Sequence, residues 1–194
     1  MKKFGTKKII ICAVVAIVAI WGISSYNGLV SKEEGVSTAW SNVENVYQRR
    51  ADLIPNLVNT VKGYAAHEQS TFDAVTEART NATSVKIENL SEAEMAKFQK
   101  AQDALSQSLG RLLAISESYP DLKANQNFLE LQAQLEGTEN RIAVARKDFN
   151  EAAKKYNTSI RKFPTSILAS IFGFEKKGYF TAVAGAETAP KVEF

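Results

Sequence analysis

Four lysines (Lys2, Lys3, Lys7, Lys8) precede 23 residues without a charge, Ile9 to Ser31. Ile9–Ile23 (IIICAVVAIVAIWGI) is apolar throughout. Charged side chains are costly at bilayer depth, so a run of this kind belongs in lipid, in a core, or in a removed leader. Its 15 apolar residues fall short of the roughly 20 that a helix needs to cross hydrocarbon. The full uncharged stretch is long enough, because Ser24 and Ser25 suit the interface and lysine stems can snorkel. Trp21 and Tyr26 stand where interfacial aromatics usually sit. A cleaved signal peptide shares the basic and apolar regions, but no Ala-x-Ala follows, and Gly22-x-Ser24 is a weak substitute. Ile11 occupies the place where a lipoprotein cysteine at Cys12 would need a small residue. The expected layout is a basic cytoplasmic flank (1–8), a transmembrane anchor in the bilayer (9–25), a helical bundle (26–174) and an extended tail (175–194). Lysines before the run, against Lys32, Glu33 and Glu34 after it, predict a cytoplasmic N-terminus and an extracytoplasmic bundle in a bacterial cell membrane.

The formal charge of +3 is an anchor property. Without the four lysines, 20 basic and 21 acidic residues remain. No basic stripe interleaved with aromatics is present, which argues against a nucleic-acid partner. The single cysteine lies inside the apolar run, so an intramolecular disulfide is excluded and the redox compartment cannot be read. The residues outside the anchor suffice for one domain with a real core.

Helical periodicity dominates that domain, giving an all-α class: a transmembrane helix, then an antiparallel bundle of three long helices and a short C-terminal one. From Tyr26 to about Val85, apolar residues recur mostly by threes, fours and sevens at Leu29, Val36, Trp40, Val43, Tyr47, Ile54, Leu57, Val61, Tyr64, Val75, Ala78 and Ala82. Arg50 and Glu68 interrupt the stripe. Pro55 lacks an N–H and crowds the carbonyl of Ala51, which predicts a kink or restart with Asp52 as a cap. The second helix starts at Ser91, where Ser91-Glu92-Ala93-Glu94 fits a capping box, and Pro120 ends it. The third runs from Asn125 to Lys162, with Phe128, Leu135, Ile142, Phe149, Tyr156 and Phe163 spaced by seven and mostly small residues three further on. A short amphipathic helix, Ser166–Phe172, precedes Gly173 as a C-terminal cap. Tyr179, Phe180, Val192 and Phe194 give the tail groups with which to dock.

Read as one helix, 26–85 would be roughly 85 Å long and would outrun its partners. Leu29, Val36, Trp40, Val43 and Tyr47 are then left without a partner in their own chain. Together with Arg50 as an in-seam polar residue, they predict self-association into a homo-oligomer, unless helix 1 reverses at Pro55. The blander reading of Arg50 lifts its charge out of the seam on an apolar stem, with Arg49 and Asp52 paired on a solvated face.

Chemistry is sparse. One histidine, His67, cannot build a multi-histidine metal site or a Glu-x-x-His pair, since Tyr64 stands three residues before it. Nucleophile-elbow, P-loop and dinucleotide motifs are absent. No catalytic, metal or cofactor residues are assigned.

Several blocks are nevertheless distinctive: YNGLV (26–30), AWSNVENVYQRRADLIPNLVNTVKGYAAHE (39–68), VTEAR (75–79), ESYPDLKANQNFLELQAQLEGTENRIAVARKDFNEAAKKYN (117–157), FP (163–164), GF (173–174) and PKVEF (190–194). In these blocks the chain resembles the LemA family of bacterial membrane proteins. The resemblance implies a single-pass, N-terminally anchored, all-helical protein without an established enzymatic activity, so no catalytic residue is carried over. The expected function is a membrane-anchored scaffold or interaction protein, not an enzyme, whose partners are further copies and other membrane proteins. Alternatives are a periplasmic partner- or ligand-binding protein released by signal cleavage and, more remotely, an enzyme built on His67 and Glu68.

Overall fold

The computed structural model describes residues 4–181, all helix, turn or extended connection. Lys2 and Lys3 of the basic flank, and Val192 and Phe194 of the tail, lie outside the described residues. The helices are α1 (Phe4–Lys62), α2 (Gln69–Ser84), α3 (Glu92–Ile115), the short α4 (Pro120–Lys123), α5 (Gln126–Arg161) and α6 (Thr165–Phe172). A 3-10 turn, Ser116–Ser118, precedes α4.

Local chemistry sets several of these boundaries. Ser91 caps α3: its hydroxyl accepts from the Glu94 amide, and the Glu94 carboxylate accepts from the Ser91 amide, satisfying two otherwise orphaned donors. Asn125 caps α5 through the Phe128 amide at 3.0 Å. Gly173, left-handed at φ 74°, closes α6, a conformation that costs glycine little.

Pro55 neither breaks α1 nor restarts it. A proline leaves the carbonyl four residues earlier without its amide partner. Here that carbonyl belongs to Ala51, and Arg79 on α2 donates its Nε–H to it at 2.8 Å. Asp52 caps nothing; it accepts from Gln48 at 2.7 Å.

The break comes instead at Gly63, so α2 folds back on its own and helix 1 does not reach Val85. Tyr64 leaves the stripe, is exposed, and takes a hydrogen bond from Asn125. From Tyr26 to Lys62, α1 is then about 55 Å long, and the 36 residues of α5 span about the same length. The two run antiparallel in register. Tyr156 meets Glu33, Glu139 meets Arg50 and Asn125 meets Tyr64, so successive contacts are seventeen and then fourteen residues apart on both strands of the pair.

That register corrects the expectation for the membrane-proximal stripe. Leu29, Val36, Trp40, Val43 and Tyr47 are all buried within one chain. They share a core with Ile142, Phe149, Ala153, Tyr156 and Ile160 of α5, Met95 and Phe98 of α3, Ala169 of α6 and Phe180 of the tail. A second, distal core joins Leu53, Ile54, Leu57 and Val61 of α1 to Phe72 and Val75 of α2, Leu105 and Leu112 of α3, and Phe128 and Leu135 of α5. Phe163 is also corrected: it is 83% exposed, because α5 ends at Arg161 and the sevenfold phase is lost beyond it.

Candidate functional site

Two buried polar assemblies stand out, one between the cores and one along the tail. Between the cores lies Arg50, 1% exposed and stacked over the Tyr47 ring at 5.0 Å. Its Nη1 donates to Glu139 at 2.7 Å and to Ser106 at 2.8 Å, and its Nη2 donates to the Gln102 side chain and, at 3.4 Å, to the Gln102 carbonyl. Its Nε has no partner among the described residues. One guanidinium thus ties α1 to both α3 and α5. The solvated alternative for this residue is corrected: Arg49 hydrogen-bonds Gln134 at 3.2 Å rather than pairing with Asp52. A fork-shaped donor can satisfy several acceptors in fixed directions, so Arg50 sets helix register inside one chain. Glu139 remains 48% exposed, so its ion pair is partly screened and the neutral acceptors carry much of the specificity. Beside this layer is a cleft of about 130 Å³ bordered by Tyr47, Gln48, Ala82, Phe98 and Gln102, below the roughly 300–1,000 Å³ of a small-molecule site.

The second assembly holds residues 177–181, an extended strap. Asn157 donates to the Lys177 carbonyl at 2.8 Å and accepts from the Lys177 amide at 2.9 Å. Asn150 does the same with Phe180, at 2.9 Å in both directions. Gln99 on α3 does the same with Thr181, at 2.9 and 3.1 Å. The register follows from two rises. Three extended residues, Lys177 to Phe180, cover about 10 Å, and seven helical residues, Asn157 to Asn150, cover about 10.5 Å. Amides seven apart on α5 therefore meet strap residues three apart.

Side chains complete the strap's seat. Phe180 packs 5.6 Å from Phe149, 6.2 Å from Trp40 and 6.3 Å from Phe98, with Arg146 over its ring at 4.7 Å. The Gly178 amide donates to the Leu90 carbonyl at 2.7 Å, and a Cβ at Gly178 would come within 2.9 Å of the Glu92 Cα. Lys177 pairs with Glu33 at 3.0 Å. Burial first, then the nearby Glu33 carboxylate, pushes the Tyr156 phenol well above its usual range. The amides were missed in the sequence, although a signal existed: Gln99, Asn150 and Asn157 each directly follow a stripe aromatic.

His67 is exposed in the turn after α1, and Glu68 accepts from Tyr119 at 3.3 Å. Among the described residues no group of three metal-ligating side chains converges. The segment expected to anchor the chain is an exposed part of α1 whose most apolar 18 residues average a hydropathy of 2.4.

The LemA family model matches residues 39–194. The chain is 30% identical over 197 residues to the magnetosome protein MamQ 2 of Paramagnetospirillum magneticum, a match covering 92% of this chain and 72% of that one. It is 31% identical over 182 residues to the magnetosome protein MamQ of Magnetospirillum gryphiswaldense, covering 84% and 67%. Protein LemA of Metamycoplasma hominis is 24% identical over 143 residues, covering 74% and 63%. With its all-helical fold and a match across four-fifths of its length, the chain belongs to the LemA family.

Proposed function

We propose that this protein is a single-pass membrane-anchored scaffold: a stiff helical rod held on the bilayer, with no catalytic role. The observation that carries this reading is the continuity of α1. One 59-residue helix begins in the exposed apolar run and ends as the spine of both cores. Anchor and bundle are therefore mechanically one element. A cleavage near Gly22–Ser24 would cut inside that continuous helix, which favours retention over release as a periplasmic binding protein. The buried polar side chains, Arg50, Gln99, Gln102 and Asn157 among them, are occupied in joining helices and strap. Self-association through the α1 stripe is not part of the reading, because that stripe is filled within one chain.

Fractionation of a C-terminally tagged chain tests retention: an anchored protein stays with membranes through a carbonate wash, and recovery in the soluble fraction would reject it. Orientation is tested separately. A C-terminal alkaline phosphatase fusion should be active and a C-terminal GFP fusion dark; the reverse pattern places the bundle in the cytoplasm.

A further inference from the structure

We infer that α6, with Phe163 before it, lies in the membrane–water interface and seats the bundle on the bilayer that α1 crosses. This rests on the anchor reading above and adds a second lipid contact to it. Position is the first ground. The Phe172 ring lies 4.9 Å from Tyr26 on α1, and Phe174 lies 5.7 Å from it. Tyr26 is three residues, about 4.5 Å, past Ile23, the last residue of the apolar run. The α6 end of the bundle thus packs on α1 where the apolar run ends.

The outward chemistry of α6 is the second ground. Thr165–Phe172 contains no charged residue. Ala169 turns inward at 3% exposure, while Ile167, Ile171 and Phe172 are 52%, 69% and 57% exposed. Phe163, Ile167 and Ile171 follow at steps of four, the last two on one helix face. Exposed Leu129 and Val144 elsewhere on α5 are single residues, which any surface tolerates; four large apolar groups beside a membrane span form a patch continuous with the anchor's own apolar surface.

Flanking charge is the third ground. Arg161 and Lys162 are exposed immediately before the patch; Lys176 follows it, paired with Glu92 at 3.5 Å, and Glu175 is the one acid between. Amphipathic segments with apolar faces and basic flanks lie about 5–10 Å into the headgroup boundary. Such a seat also suits a 15-residue apolar core, since it places more apolar surface where the short run ends. Because α6 packs on α1 and the strap follows it directly, the seat fixes the rod's tilt from two points.

Spin labels on the full-length chain in phosphatidylcholine–phosphatidylglycerol vesicles test this. Single cysteines in a Cys12→Ser background are placed at Ile167, Ile171, Val18 in the anchor and Val144 on the bundle, and each is read by collisional access of oxygen against a water-soluble nickel chelate. The expected oxygen-to-nickel ratio at Ile167 and Ile171 is several-fold above that at Val144 and below that at Val18. If Ile167 and Ile171 match Val144 while Val18 stays lipid-accessible, the anchor stands and the seat is overturned. If Val18 itself matches Val144, the anchor reading fails and takes the seat with it. Shielding of Ile167 and Ile171 from both reagents would mean that protein covers the patch, which also overturns the inference.

Discussion

Arg79 repairs a defect that Pro55 creates. The Ala51 carbonyl is buried and has lost its helical amide, and leaving such an acceptor bare costs about 1–3 kcal/mol. Arg79→Met keeps the apolar stem and removes the donor, so it should destabilise the detergent-solubilised chain by about that amount. In a Pro55→Ala background the restored amide serves Ala51, and the same Arg79→Met change should cost under about 1 kcal/mol. Denaturant midpoints of the four proteins check the coupling; additive effects would show that the bond is incidental. The crowded carbonyl at Ala51 is legible from Pro55 alone, but which residue satisfies it depends on where α2 returns. Arg50 was legible only as a polar residue in a seam. Its acceptors come from 52, 56 and 89 residues away, and no local spacing reveals them.

Elements whose ends are set by neighbouring residues were readable, and those set by distant contacts were not. The capping box at Ser91, the start of α5 near Asn125 and the sevenfold stripe of α5 through Tyr156 all appear as expected, because each is a relation within one helix or one turn. The Gly63 break was hidden by Tyr64, which carries a step of three from Val61 across it, although the next stripe residue, Val75, stands eleven further on. The strap's conformation is set by amides on other elements. Hydrogen bonds hold the Glu94 carboxyl below its ordinary range, the Ser91 amide first, with the Ser91 hydroxyl and the amides of Glu88 and Asn89 adding to it. A group whose pKa falls on folding stabilises the fold above its unfolded value, here near 4.5, and loses that contribution as pH drops through the folded value. The melting-temperature gap between wild type and Glu94→Gln should therefore be wide at pH 7 and narrow toward about pH 3; a gap independent of pH would mean that the charge is idle. Glycines give a paired prediction. Gly178→Ala drives a Cβ against the α3 backbone and should cost about 1–3 kcal/mol. Gly137→Ala, in open space within α5, should gain about 0.5–1 kcal/mol. Thermal melts of both variants decide it, and equal signs would reject the close approach at Gly178.

Across the whole molecule, two cores share one pair of long helices and are parted by the Arg50 layer. The distal core closes with residues of α1, α2, α3 and α5 and Leu122 of α4. The proximal core needs the tail, since Phe180 touches Trp40, Phe98 and Phe149 at once and Gln99 and Asn150 hold adjacent strap residues from opposite helices. Removing the strap uncovers three aromatic faces and leaves three amides without their backbone partners. Each aromatic pair is worth about 0.5–1.5 kcal/mol beyond its buried area, and local openings follow local contact density. A chain ending after Phe174 should thus remain folded and anchored while its proximal half loosens. Hydrogen exchange should rise in 92–99, where α3 meets the strap, and to a lesser degree in 36–47 and 142–156, which still pack on each other. Protection in 105–112 and 128–135 should hold, because those residues keep every partner in the distal core. Uniform loss of protection would show that the two cores unfold as one unit, and unchanged exchange in 92–99 would show that the strap lies on a surface complete without it. Between those outcomes, a loosened proximal half would place the strap as the closure of the end of the bundle where α6 packs on α1.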